Sequence, residues 1–249
     1  MISILIISAL KEEVKYFISK IKGREKSKIG SGELYKGFLH GKHIYLLITG
    51  IGSENIKLNL NQFPYKDKLT FILSIGISGG LSEELCFNDL VIQDTILSFD
   101  GNKSISSITI SNNLIHKVTN ILSNHNIPFH TKKSLTTNEI VRSIEAKNNL
   151  LQFDASLIDM ETYTIAEIAR SNNLEILSLR VILDTYMDIL PDFSRFTNDF
   201  GKLKIISLIH QILKDYNLII KLIKIASKMK IVKAKISSVL DLLLKELVV

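Results

Sequence analysis

Acidic residues stand at the ends of three apolar runs in this chain, and those positions are where chemistry is first to be sought. In "IDMETYTIA" Asp159 and Glu161 flank Met160, in "LRVILDTYMDILP" Asp184 closes a mostly apolar run, and in "SALKEEV" Glu12 and Glu13 follow the first one. The alternate spacing of Asp159 and Glu161 puts both on one side while the chain is extended. A carboxylate so placed can cap the helix that follows, where the helix dipole favours negative charge. It can instead accept hydrogen bonds from sugar hydroxyls, with Met160 as an apolar plate. Burial of Asp184 would raise its pKa toward use as an acid, whereas Glu12 and Glu13 read by default as first-turn helix residues.

Two glycine turns accompany the acids. "SIGISGGL" places Gly76, Gly79 and Gly80 directly after an apolar run, with Ile77 and Ser78 between them. Glycines at the carboxyl end of a strand let the backbone approach a ligand in the crevice where α/β sheets bind one, or simply bend the strand. "TGIGSEN" (Thr49–Asn55) is a near miss for a dinucleotide fingerprint: Asn55 occupies the third glycine position, and residues 70–74 hold no acid. What remains is a tight turn offering N–H groups at a helix N-terminus.

The elements that must position these groups are legible in the hydropathy pattern. Continuous apolar runs at Ile2–Ile7, Ile44–Thr49, Thr70–Ile75, Leu90–Ile96 and Ile176–Ile182 read as strands buried on both faces. The stretch "SLID" before Met160 reads as the end of another. Helical patterns lie between them at Lys11–Lys22, Ser53–Gln62, Asn112–His125, Ser143–Leu151 and Thr162–Asn172. This alternation predicts an α/β fold with a mixed or mostly parallel sheet covered by helices. "FDGNKSISSITIS" reads as an irregular excursion.

The composition, with 46% apolar residues, 12 Gly and 3 Pro in 249 residues, is that of a globular chain. The lone Cys86 excludes an internal disulfide framework and a thiolate metal cluster, and reads as a small apolar filler. No stretch approaches the roughly 18 consecutive apolar residues that span a bilayer. "MISILIISALKEEV" has no preceding positive charge and reads as a buried first strand rather than a leader.

The net charge of +6 is unevenly distributed. Residues 202–249 hold ten Lys against Asp215, Asp241 and Glu246, while the other residues hold 21 basic and 22 acidic groups. From Gly201 onward the pattern is one long helix, with apolar Ile205, Leu208, Ile209, Ile212, Tyr216, Ile219, Ile223 and Ala226. Lys214, Lys221, Lys228 and Lys235 stand seven apart, a step that drifts only about 20° round a helix, so they form a stripe. The stripe reads as the solvated face of a helix packed on the domain, or as a surface for anionic lipid head groups. It has little aromatic interleaving, which argues against nucleic acid.

The order "SALKEEV", "TGIG", "GISGGL", "DMET", "RVILD" resembles that of the nucleoside phosphorylases and nucleosidases, over roughly residues 1–200. The resemblance implies a three-layer α/β sandwich around a mixed, barrel-like sheet, followed at 201–249 by a basic, amphipathic helical extension. It implies a homodimer or higher oligomer, no metal or organic cofactor, and inorganic phosphate as co-substrate in the phosphorylase branch. By position Asp184 resembles the acid that protonates or hydrogen-bonds the purine at N7, Glu161 the ribose ligand, Met160 the residue beside the sugar, and Glu13 the acid that positions an attacking water. Gly76, Ile77, Ser78 and Gly79 fall at the nucleophile or phosphate pocket, and Asp159 is left with structural work at the strand-to-helix junction. The implied activity is cleavage of the N-glycosidic bond of a purine nucleoside, adenine above all, through an oxocarbenium-like transition state.

Two departures bear on this. Nucleosidases commonly show a serine between the glycines where this chain has Ile77, and another before the aspartate where it has Leu183. These departures favour the rival expectation, a non-catalytic nucleoside-binding or membrane-associated protein of the same fold. "SIGISGGL", "SIEAKNNL…LIDME", "ILDTYMDILP" and the basic tail look closer to the hopanoid-associated branch, whose phosphorylases remove adenine from an adenosylated lipid. That branch implies a lipid-linked nucleoside and a cytoplasmic protein touching the inner face of the membrane through its C-terminal helix.

Overall fold

The computed structural model describes residues 2–99, 105–190 and 217–247. Ten strands form one mixed sheet: β1 (Ser3–Ser8), β2 (Lys22–Ile29), β3 (Gly32–Leu39), β4 (Lys42–Ile48), β5 (Phe71–Gly80), β6 (Leu90–Phe99), β7 (Ile105–Thr109), β8 (His130–Thr136), β9 (Leu157–Asp159) and β10 (Glu175–Asp184). The described helices are α1 (Lys11–Ile18), α2 (Ser53–Asn61), α3 (Asn112–Asn124), α4 (Ile144–Asn148), α5 (Thr162–Ser171) and α6 (Asn217–Glu246).

The order β10-β6-β8-β9-β5-β1-β4-β3-β2, with β10 also pairing β5, closes β5, β9, β8, β6 and β10 into a small barrel. β1 pairs in parallel with both β4 and β5, and β10 runs parallel to β5. The carboxyl ends of β1, β4, β5 and β10 therefore lie at the same edge, the edge at which α/β sheets bind ligands. Ile4, Leu5, Ile6, Leu46, Leu177 and Leu179 are fully buried, as continuous apolar strands covered on both faces require. The result is the expected three-layer α/β fold around a barrel-like sheet.

Several elements differ from the sequence reading. Ile105–Thr109, inside the segment expected to be irregular, is strand β7, paired antiparallel with β6 from Thr95↔Thr109 to Phe99↔Ile105. Of that strand only Ile108 is buried, so its sequence carries little apolar signal. β2 escaped notice for a similar reason: all but Ile29 of "KGREKSKI" is exposed, and its charges protect a sheet edge. The helix expected over Ser143–Leu151 divides into α4 and a 3₁₀ turn, Leu151–Phe153, because Asn148 and Asn149 propagate a helix poorly. Cys86 is exposed rather than an apolar filler, in a turn where its N–H donates to Asp89 Oδ2 at 2.8 Å.

The buried face of α6 consists of Val232, Ile236, Val239, Leu240, Leu243, Leu244 and Leu247, which join the main core. Their i, i+4, i+7 and i+8 spacing is that of an amphipathic helix. Ile223 and Ala226, expected on the apolar face, are exposed instead. Residues 201–216, with Ile205, Leu208, Ile209, Ile212, Tyr216 and Lys214 of the expected pattern, lie outside the described residues, as do the side chains of Ile219 and Lys221. Of the lysine stripe, Lys228 pairs with Asp188 at 2.9 Å and Lys235 donates to the Asn88 carbonyl at 2.5 Å, so both ammonium groups face the domain. Among the described residues no helix is long and apolar enough to cross a membrane.

Candidate active site

Glu13 sits on the third residue of α1, just past the end of β1, and its carboxylate turns back toward the sheet. Ser8 Oγ and the Leu10 N–H donate to Oε2 at 2.6 and 2.9 Å, and the Ile77 N–H donates to Oε1 at 3.0 Å. The group is 3% exposed, and burial pushes its pKa up against the opposing effect of those three donors. Glu161, at the junction of β9 and α5, accepts from the Gly52 N–H at 2.8 Å. The "TGIG" turn therefore presents a backbone donor to a carboxylate of the chain itself. Burial, with the Asp159 charge beside it, pushes the Glu161 carboxyl up to about 7.

Both acids line one small pocket of about 10 Å³, a volume on the scale of a single water, together with Ser74, Gly76, Ile77 and Arg180. Among the described residues Arg180 is the cation lining this pocket, and its guanidinium is engaged by its neighbours. Its Nε lies 3.2 Å from Asp159 Oδ2, and its remaining nitrogens donate to the Leu179 carbonyl, Ser74 Oγ and Thr162 Oγ1. Asp159 thus does structural work at the strand-to-helix junction, accepting also from Gln93, Thr136 and the Thr162 N–H. Burial acts against its charge, but the Arg180 guanidinium and the bonds from Thr162 and Gln93 hold its carboxyl below the usual range.

Asp184 ends β10, beside Gly79 of β5 across a register shift. A Cβ at Gly79 would lie 3.0 and 3.2 Å from the two Asp184 oxygens, and one at Gly76 would lie 3.0 Å from Glu13 Oε1. Each glycine makes room for an acid, a close approach that any larger residue would obstruct. Asp184 is 6% exposed, and its carboxyl is pushed up by burial against the counteracting charge of Lys147, whose Nζ lies 2.8 Å from Oδ2.

Of the residues singled out from sequence, Glu13, Glu161, Gly76 and Ile77 meet at the pocket. Asp184 and Gly79 form an adjoining group further along β5, Met160 precedes Glu161 and is half-buried, and none of these lines the pocket itself. Ser78 lies outside the wall too, buried with its Oγ unpartnered among the described residues. Ser8, Lys147 and Arg180 were not foreseen. Arg180 interrupts the apolar run "LSLRVIL", and a charge in a doubly buried strand requires a partner, so the signal was present. For Lys147 no local signal exists. Among the described residues no group of three or more His, Cys, Asp or Glu is disposed to hold a metal ion.

A mixed sheet that closes into a small barrel and gathers carboxylates at the ends of parallel strands is an arrangement that a known family shares. The chain belongs to the phosphorylase superfamily, whose family model matches residues 3–206, and the resemblance to nucleoside phosphorylases and nucleosidases is thereby borne out. The chain is 27% identical over 208 residues to the 5′-methylthioadenosine/S-adenosylhomocysteine nucleosidase of Buchnera aphidicola subsp. Baizongia pistaciae, covering 78% of this chain and 82% of that one. Its fold is similar to that of a futalosine hydrolase mutant of Helicobacter pylori, with a TM-score of 0.78 at 18% identity over 99% of this chain and 100% of the other. It is similar too to the Helicobacter pylori 5′-methylthioadenosine/S-adenosylhomocysteine nucleosidase bound to butyl-thio-DADMe-Immucillin-A, with a TM-score of 0.77 at 19% identity over 99% of each chain. At these identities the two solved structures speak for the fold alone.

Proposed function

We propose that the chain cleaves the N-glycosidic bond of a purine nucleoside, an adenine nucleoside of the 5′-methylthioadenosine or S-adenosylhomocysteine kind, with water as the nucleophile. The observation that carries this reading is the pairing of Glu13 with Glu161 in one small pocket whose cation, Arg180, is held by Asp159. Two acids beside a phosphate dianion would oppose its charge, and the Arg180 guanidinium is already ion-paired with Asp159. A water molecule needs no such counter-charge. The nucleosidase relative, matched over most of its length, supports the substrate class.

In this mechanism Glu13, fixed by three donors, accepts a proton from the attacking water. Its raised pKa moves it toward the range in which a general base works near neutrality. Glu161 accepts hydrogen bonds from the ribose hydroxyls, and the carboxylates favour the positive charge that develops on the sugar as the bond to the base lengthens. Asp184 delivers a proton to the departing purine, a role for which burial raises its pKa. Ile77 in place of serine leaves this scheme intact, because the residue acts through its N–H, which any side chain leaves in place.

The test is incubation with methylthioadenosine and S-adenosylhomocysteine, with and without inorganic phosphate, following free adenine and the sugar product. Adenine and the free 5-thio-substituted ribose at equal rates in both conditions are expected. The 1-phosphate of that 5-substituted ribose, formed only with phosphate, would replace hydrolysis by phosphorolysis, and no base from either substrate would remove the proposal.

A further inference from the structure

The lysine nearest the acid at the end of β10 comes from an element that neither the sequence motifs nor the pocket includes. Lys147 belongs to the short helix α4, which Ser143 caps by accepting from the Ala146 N–H at 3.1 Å. Its side chain is fully buried. The ammonium reaches Asp184 Oδ2 at 2.8 Å, the Thr185 carbonyl at 2.6 Å and the Asp188 carbonyl at 3.4 Å. An ammonium has three protons to donate, and here there are three acceptors. Burying a lysine is costly unless the charge is paired, so an apolar residue would serve packing alone better. The segments holding the pair are joined at further points: the Leu190 N–H donates to the Arg142 carbonyl at 3.0 Å, and Tyr186 hydrogen-bonds Asn148.

We propose that Lys147 is a positioning residue for Asp184, occupying Oδ2 so that Oδ1 is the oxygen presented to the nucleobase, and supplying from a distant helix the orienting partner that Leu183 cannot. The inference rests on the proposed glycosidic cleavage for its consequence in catalysis, but the pairing stands on geometry. Among the described residues the charges acting on Asp184 are few: Lys147 and Lys228 favour its ionised form, while burial and Asp188 oppose it. Lys228 is in turn paired with Asp188 at 2.9 Å, and Asp188 Oδ2 accepts from the Thr185 N–H at 2.9 Å. Among the described residues Lys147 is thus the close positive charge, and a rival role as a staple for the Thr185 and Asp188 carbonyls differs from positioning in its effect on turnover. A staple lost from a variant that still folds leaves kcat at the pH optimum unchanged.

The experiment compares wild type with Lys147→Met and Lys147→Gln, the second keeping an N–H donor for the Thr185 carbonyl should the methionine variant fold poorly. The Asp184 carboxyl is titrated by ¹³C NMR, its resonance assigned by its loss in Asp184→Asn, and the pH dependence of kcat is followed with methylthioadenosine. Removal of the charge should raise the Asp184 midpoint by about one to three pH units. An acid required in protonated form loses activity as pH rises through its pKa, so the alkaline limb of kcat should move upward by the same amount. At the optimum kcat should fall by about tenfold or more with KM little changed, the mark of lost orientation rather than lost binding. An unmoved Asp184 midpoint, or a kcat at the optimum equal to that of wild type in a folded variant, would leave Lys147 a staple and overturn the proposal. If wild type releases no adenine, the proposed reaction fails by itself, and the NMR titration still decides whether Lys147 governs Asp184.

Discussion

Replacing Glu161 by glutamine should stabilise the protein at alkaline pH and do little at acid pH. The carboxyl titrates at 4.5 in the unfolded chain and is pushed up to about 7 in the folded one, by burial first and by the neighbouring Asp159 charge next. Between those values the folded state holds a proton that the unfolded state has released. Stability therefore falls as pH rises through that window, and above it the folded protein carries the full cost of an ionised, poorly solvated group. A difference between 4.5 and about 7, at 1.36 kcal/mol per unit, amounts to about 3 kcal/mol. Glutamine has nearly the same shape and keeps an oxygen for the Gly52 N–H, but cannot ionise. Urea unfolding of wild type and Glu161→Gln at pH 5 and pH 8.5 measures the effect: the variant should gain about 2–3 kcal/mol relative to wild type between the two conditions. Equal stability differences at both pH values would show that Glu161 ionises normally, and would refute the reasoning from its burial.

Asp184→Asn should lower kcat for base release by about 10²–10⁴-fold, the range general acids contribute, while calorimetry with a tight-binding nucleoside analogue shows binding largely retained. Arg180→Met should cost about 3–5 kcal/mol in urea unfolding near neutral pH, because it leaves Asp159 buried without its guanidinium. That cost should shrink as pH falls and Asp159 takes up a proton. A loss independent of pH would assign the effect to packing instead.

How far the sequence could be read depended on where each residue's neighbours lie along the chain. β1, β4, β5, β6 and β10 were visible because strands buried on both faces are apolar without interruption. α1, α2, α3 and α5 were visible because half-buried helices repeat at 3.6 residues. β2 and β7 carry too few buried residues to show either pattern. The acids of the site stood out because they close apolar runs, and Glu13 and Asp184 lie buried, with Glu161 half-buried, at one edge of the sheet. Their partners were legible only in part. Lys147 meets Asp184 across 37 residues, a closure that only the tertiary fold specifies. Of the stripe of lysines, Lys228 and Lys235 are half-buried rather than fully solvated, and Lys214 and the side chain of Lys221 lie outside the described residues. A helix face takes its meaning from what is packed beside it, and Lys228 and Lys235 find Asp188 and the Asn88 carbonyl there.

The spacing of the glycines on β5 is what makes one site out of acids carried by different elements. Gly76 and Ile77 receive Glu13, and Gly79 receives Asp184. Both carboxylates are thus seated against one strand of the barrel, at positions three residues apart along it. In the proposed reaction Glu13 acts on the water and Asp184 on the departing base. A side chain at Gly76 or Gly79 would press against the acid seated there. The two glycines therefore act on chemistry through the room they leave, and the residue between them, Ile77, acts through its N–H, so the loss of a serine side chain at that position is compatible with a working site.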